Sequence, residues 1–452
     1  MTSAAEQFAS NINLASFAKA EELKQRLLFT LGALIVYRIG TYIPLPGINP
    51  EAFAIQFQSQ QSGLLGTLNI FAGGAVERMA IFALNIMPYI SASIIMTLMT
   101  SAIPSLEKIK KEGEQGRRQI NQYTRYLTVF LATMQGYFIA VSLQGQADGV
   151  PVVSNPGLFF TATTVITLVG GVMFLLWLGE QITARGVGNG VSLIIFAGIV
   201  AELPRAAAGL FALGSGASET GQTLPGGVIV LVVLMSLALI AFVVFMERSL
   251  RRVTVQYPRR QVGQRMTQGE KSHLPLKLNP SGVIPPIFAS SILLLPATAA
   301  NAVGSDSPEI LRNLQIWFAP GQPLYIGLYA LGIIGFTFVY TSIVFNTEEV
   351  SDNLKKYGGF VPGYRPGART AEYLDYLVTR LTVIGAAYLT FVCVLPEFLR
   401  AQYPSIPVYL GGTSLLIVVS VTLDTVGQIQ GHLVAQQYES LIKKSKLRGG
   451  RR

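Results

Sequence analysis

The stretch GGVIVLVVLMSLALIAFVVFM, residues 226–246, contains no charged side chain. A helix needs about 20 such residues to cross a bilayer core. Inside lipid, backbone groups must bond within their own segment, so a lone apolar stretch of this length has to be helical. Segments such as LLFTLGALIVYRIGTYI (27–43) and LLIVVSVTL (415–423) repeat the signal. It predicts ten spans, near 27–43, 80–103, 124–143, 157–178, 189–212, 226–246, 283–300, 325–345, 377–395 and 408–434. Only 13% of the 452 residues are charged, where a soluble chain carries about 25%. The predicted class is an all-α polytopic membrane protein with ten transmembrane helices.

Lysine and arginine set the orientation. Of the 34, only Arg205, Arg312 and Arg400 fall clearly on one side, with Arg38 and Arg78 near helix ends. The rest lie before the first span, in alternate connections and in the tail. Positive-inside bias puts both termini in the cytoplasm, as an even span number requires. The net charge of +10 is then mostly a topology signal, with attraction to anionic lipids added. No cleavable signal peptide is expected, because Glu6, Glu21 and Glu22 interrupt the first 26 residues and no early apolar core is present.

The span interiors look nearly empty of charge. Asp424, Arg38 and Glu180 all fall towards span ends, whereas an ion-coupled carrier keeps ionisable groups deep in the membrane. The mild polar residues Asn85, Ser91, Thr128 and Gln135 in the second and third spans read first as helix-packing groups. One cysteine, Cys393, and two histidines, His273 and His432, support neither a disulfide nor a metal cluster. No phosphate-binding GxxxxGK[ST] is present. GVGNG at 186–190 joins two apolar helices and follows no strand, so it reads as a tight turn. No cofactor is expected, and an enzyme is disfavoured.

Pro88 and the VIPPIF at 283–288 interrupt the starts of the second and seventh spans. Broken spans at matching places in two halves point to a central pathway, and five spans per half suits an inverted repeat. Two connections exceed what topology needs. Residues 247–280 alternate Arg with Val, Tyr and Gln, a pattern able to form a hairpin, and include Arg252, Arg259 and Arg260. Residues 346–377 carry a Gly- and Pro-rich tip bearing Arg365. These loops read equally as docking surfaces for an acidic partner and as plain topology charge. The segment Leu64–Gly74, LLGTLNIFAGG, is apolar yet too short to span. Either it re-enters the membrane, or it lies on the outer surface.

Several stretches together resemble the SecY family of protein-conducting channels: IPLPGINP (43–50), NIFAGGAVERMAIFALNIMPYISASIIM (69–96), KKEGEQGRRQINQYTRY (110–126), WLGEQITARGVGNGVSLIIFAGIV (177–200), SHLPLKLNPSGVIPPIFASSI (272–292), DNLKKYGGFVPGYRPG (352–367) and YLGGTSLLIVV (409–419). The resemblance implies two pseudo-symmetric inverted five-helix halves, 27–213 and 226–434, with 1–26 and the basic tail 435–452 in the cytoplasm. It implies SecE-like and SecG-like small subunits, the SecA ATPase or a ribosome as motor, and secretory preproteins with their signal sequences as cargo. The location would be the bacterial plasma membrane. The short segment 63–74 would be a re-entrant plug formed by Leu64, Leu65, Gly66, Thr67, Leu68, Asn69, Ile70, Phe71, Ala72, Gly73 and Gly74.

By the same resemblance, Ile86, Ile90, Val191, Ile195, Ile287 and Ile417 would form a pore ring, with Val191 where isoleucine is commoner. Asn85, Ser91, Thr128 and Gln135 would line a lateral gate between the second and third spans and the seventh and eighth. Arg252, Arg259, Arg260 and Arg365 would dock SecA or the ribosome. The rival from another class is an inverted-repeat secondary transporter of a small solute.

Overall fold

The structure, a computed structural model, describes residues 21–60, 66, 69, 71–144, 152–215, 225–257, 261–262, 265–266, 271–302, 321–402 and 411–449. In chain order the helices are α1 (Glu21–Gly40), α2 (Pro50–Gln60), α3 (Met87–Ala102), α4 (Pro104–Lys111), α5 (Glu114–Gln144), α6 (Leu158–Arg185), α7 (Gly190–Ser215) and α8 (Gly226–Arg248). Strands β1 (Leu250–Gln256), β2 (Gln261–Val262), β3 (Arg265–Met266) and β4 (Lys271–Lys277) follow. The chain continues with α9 (Ile284–Ala302), α10 (Pro323–Val344), α11 (Thr347–Lys356), α12 (Ala368–Gln402) and α13 (Gly412–Gly449).

Seven of these helices are long and apolar enough to cross a membrane, and α3 with α4, bent by 99°, makes an eighth if the pair counts as one span. The described residues thus give seven or eight spans where ten were expected: the apolar run of α9, Ile284–Leu293, is shorter, and the first turns of α1 carry Glu21, Glu22, Lys24 and Arg26. Several helices outrun their predicted spans. α5 starts at Glu114 rather than near 124, and α13 runs to Gly449 rather than 434. Hydropathy marks the lipid-buried length, whereas backbone hydrogen bonding carries a helix on into water.

The second span differs in kind. Helix begins at Met87, not near residue 80, and residues 81–86 are turns. Pro88 lacks an N–H and fits a first helical turn. Just upstream, Met79 (φ 43°) and Asn85 (φ 48°) sit in the left-handed region, which a right-handed helix cannot contain.

Neighbour relations repeat between the two parts of the chain. α3 packs on α5, α5 on α6, α6 on α7 and α1 on α7; α9 packs on α10, α10 on α12, α12 on α13 and α8 on α13. One apolar cluster lies mainly in the first group, and a second lies wholly in the other. The groups meet where α9 lies against α3 and α5, and where α13 lies against α7 and α1.

The GVGNG segment is the tight turn its sequence suggests, and it links both groups. Asn189 caps α7 by accepting from the Val191 N–H at 3.1 Å. Val187 N–H donates to Thr30 Oγ1 of α1 at 3.1 Å, and Gly188 N–H to Gln428 Oε1 of α13 at 2.9 Å. Gly190 follows directly, and a side chain there would run into the Gly179 carbonyl of α6.

The loop 247–280 departs from an all-helical chain. β1 and β4 pair antiparallel, Leu250 opposite Lys277 through Gln256 opposite Lys271. Val253 and Val255 are buried on one face, with Arg252, Thr254 and Gln256 on the other, and Arg251 is exposed at the strand's start. The hairpin grips the next long loop through reciprocal backbone bonds between Gln256 and Phe360, 2.8 and 2.9 Å. Val253, Leu276, Val361 and Leu381 share a small core beneath.

Gly190→Val should lower stability by about 1–3 kcal/mol through overpacking. Thermal unfolding in detergent reads this as a lower midpoint, and an unchanged midpoint would mean that α6 and α7 can separate freely there.

Candidate functional site

All six residues expected at the ring belong to one apolar cluster. Ile86, Ile195, Ile287 and Ile417 are buried members, while Ile90 and Val191 are half-buried against it. Their elements explain the convergence. Ile86 precedes α3 and Ile90 lies one turn in; Val191 and Ile195 share a face of α7 at i, i+4. Ile287 sits in the first turns of α9, where Pro285 and Pro286 start the helix, and Ile417 in the first turns of α13. Among the described residues, the second half supplies Ile287, Ile417 and Val421 as the buried members of this cluster. β-branched side chains dominate the set, and their χ1 stiffness fixes the surface they present.

The half-length segment lies above this cluster in sequence and is only partly described. Gly66, Asn69, Phe71 and Ala72 are helical and buried, and Gly73 and Gly74 turn the chain with φ of 61° and 81°. Leu64, Leu65, Thr67, Leu68 and Ile70 lie outside the described residues. The end of the segment is fixed to several elements. Tyr37 Oη donates to Ala72 O at 3.4 Å, and Arg38 Nη1 to Gly73 O at 2.6 Å. Asn85 Nδ2 donates to Phe71 O. Asn69 Oδ1 accepts from the Glu77 N–H at 3.0 Å. Gly73 meets Gly198 of α7 so closely that an added Cβ would sit 2.8 Å from Gly198 Cα.

Beside this contact lies a charged group that the sequence reading passed over. Glu202 of α7 is 2% exposed, against the expectation of nearly charge-free span interiors. Arg38 Nη2 and Arg78 Nη2 approach its Oε1 at 3.8 and 3.9 Å, and Arg205 Nη1 its Oε2 at 4.0 Å. Arg205 also forks onto Glu77 at 2.7 and 3.0 Å. Tyr42 offers its ring face to Arg78, 4.1 Å from guanidinium to centroid. In the sequence Glu202 stands close to Pro204 and Arg205, inside the predicted span 189–212, and its carboxylate was overlooked there. Arg38 and Arg78, both distant in sequence, make it notable when they join the neighbouring Arg205.

The four polar residues expected at a gate are all buried, but they do different things. Asn85 holds the Phe71 carbonyl, whereas Thr128 Oγ1 returns its proton to Thr124 O of its own helix at 2.7 Å. Ser91 and Gln135 are buried on α3 and α5, the two helices against which α9 packs.

On the polar side, Arg252 and Arg365 are both exposed; Arg259 and Arg260 lie outside the described residues. The Arg365 tip is stiff. Gly363 (φ 90°) and Gly367 (φ 106°) bracket it, Tyr364 stacks on Tyr373 at 4.1 Å, and Thr370 Oγ1 donates to Arg365 O at 3.0 Å. Among the described residues, no group of three or more His, Cys, Asp or Glu is placed to hold a metal ion.

Comparison with known proteins gives these features a context. The SecY family model matches residues 80–426. The protein translocase subunit SecY of Rickettsia bellii is 52% identical over 430 residues, covering 95% of this chain and 98% of the relative. A solved SecY channel, described for a plug domain that stabilises its closed state and maintains a membrane seal, has TM-score 0.65 at 15% identity, with coverage of 91% and 93%. Sec61 in a canine ribosome-channel complex has TM-score 0.60 at 16% identity, with the same coverages.

Proposed function

This chain belongs to the SecY family and is the pore-forming subunit of a protein translocase, and we propose that unfolded polypeptides pass through it at the cluster containing Ile86, Ile90, Val191, Ile195, Ile287 and Ile417. The observation that carries this reading is that Ile287 and Ile417 of the second half are buried in the same apolar cluster as Ile86 and Ile195 of the first, with Ile90 and Val191 packed against it. A neck of stiff apolar side chains dewets, so it resists ions without offering a sliding polypeptide a polar binding site. A seam held by few apolar contacts can also part and close again.

The chain divides into halves at 27–213 and 226–434, a division supported by the recurring neighbour relations. Segment 64–74 acts as the plug, re-entrant backbone being tolerated where protein surrounds it. Hydrophobic segments leave sideways where α9 parts from α3 and α5. Ser91 and Gln135 lie on those helices, and weak polar pairing there would open readily. Asn85 serves the plug rather than the gate, since its amide is already committed to Phe71. SecE-like and SecG-like subunits brace the halves, the membrane is the bacterial plasma membrane, and both termini are cytoplasmic.

A partner supplies the driving energy. The hairpin and the Arg365 loop form one bonded unit, which gives a rigid docking face to SecA or a ribosome. Arg252, Arg259 and Arg260 would belong to that face. Arg365 holds a planar fork suited to a carboxylate or a phosphate.

Two outcomes test the reading. Ile417→Asn should wet the neck and raise export of a precursor with a defective signal sequence. Unchanged export would place Ile417 outside the path. Arg365→Glu should abolish or strongly slow export with assembly intact, and Arg365→Lys should fall between, keeping charge without the fork. Normal export by the Glu variant, measured with a SecA-dependent precursor, would reduce this loop's charge to a topology signal.

A further inference from the structure

Glu202 poses a problem that the pore reading leaves unsolved. It lies about 18 Å along α7 from Gly190, at 1.5 Å per residue, within a helix apolar enough to span the membrane. A buried carboxylate at such a depth is unfavourable unless paired, and it survives where it has a task. Its Oε2 accepts no hydrogen bond, and the charges around it are Arg38, Arg78 and Arg205.

What these groups share is the end of the half-length segment. Arg38 is shared between Glu202 and the Gly73 carbonyl, so one guanidinium joins α7 to the turn. Gly74 lies directly under Glu202: a side chain there would strike Oε1 and come within 3.0 Å of Arg78 Nη2. Arg78 sits in the turn that leads from this segment towards Ile86 and α3, and it reaches the same carboxylate oxygen. Thus the carboxylate draws together two arginines, from α1 and from the chain just after the segment, above a pair of glycines that only bare backbone can form.

We infer that Glu202 is a positioning residue for the seal: it orients Arg38 and Arg78 so that the Phe71–Gly74 turn stays fixed to α1 and α7 in the closed channel. The inference rests on the plug reading of segment 64–74. Arg205 completes the arrangement from outside, dividing its charge between Glu202 and Glu77. Asn85 fixes the same turn independently from the α3 side. Closure is then favoured by a charge network rather than by apolar contact alone, and conversion to the open channel requires breaking it.

The test uses the full translocase in planar bilayers, reading single-channel opening frequency without precursor. Glu202→Gln keeps the shape and removes the charge. It should raise opening frequency on the order of tenfold, the population change that follows loss of one charge-assisted contact. Glu202→Asp should recover part of the seal. Arg38→Gln should leak similarly, and the Glu202→Gln/Arg38→Gln double should leak no more than either single, because coupled residues act through one arrangement. Additive leaks in the double would overturn the inference.

Deleting residues 64–74 separates the two levels. If the deletion leaks but Glu202→Gln seals like the unaltered channel, the positioning role is wrong and the plug reading stands. If the deletion itself does not leak, the plug reading fails and takes the inference with it. Should Glu202→Gln not assemble, Gly74→Ala tests the same arrangement with every charge retained, by displacing the carboxylate from Arg78. A tight seal in that variant would equally overturn the inference.

Discussion

Two helix groups that touch their shared core through a few apolar side chains are the constraint on which the rest of this molecule depends. Each group has its own buried cluster, so each can hold its shape while the other moves. Between them, Ile287, Ile417 and Val421 meet the first group's core, and only two small clusters, Leu23 and Val187 with Leu433 and Leu210 with Ile229 and Val232, add buried apolar contact among the described residues. Apolar contact in a membrane-spanning protein has little hydrophobic driving force behind it, since lipid tails offer the same surroundings. A seam made this way is reversible. For a channel that must admit a polypeptide and then close, that weakness is the useful property.

Because the seam is weak, order has to come from elsewhere, and polar contacts supply it at the two ends. At one end, the Gly186–Gly190 turn draws α1, α6, α7 and α13 together through Thr30, Asn189 and Gln428. On the same polar side, the β1–β4 hairpin is bonded to the loop bearing Arg365, so force applied to that unit reaches α8, α9 and α12. At the other end, Glu202 and its arginines gather around the glycine turn at 73–74. The chain thus concentrates directional bonding where partners or cargo would act, and leaves the middle to non-directional packing.

The spans were legible because a run of about twenty apolar residues needs no periodicity to be read, and the hairpin because Val253 and Val255 alternate with the polar Arg252, Thr254 and Gln256. Helix starts at Pro88 and at Pro285–Pro286 were legible as interruptions. The cluster shared by the halves was not legible from pattern: Ile195 and Ile417 are isoleucines in apolar helices, and only resemblance to a family singled them out. Asn85 suggested helix packing or a gate, since nothing in its neighbours announces a left-handed backbone that turns its amide to Phe71. Glu202 was missed for a related reason. A buried charge is recognised by its partners, and Arg38 and Arg78 are far away in sequence, brought close by the fold.

The central claim is the route of the polypeptide through the cluster shared by the two halves, and site-specific photocrosslinking to an arrested precursor tests it most directly. A photoreactive residue placed in turn at Ile86, Ile195, Ile287 and Ile417 should crosslink to the arrested chain at every position, whereas one at Leu231, exposed on the outer face of α8, should not. Crosslinks confined to outward-facing positions, with the four cluster positions silent, would contradict passage through this neck.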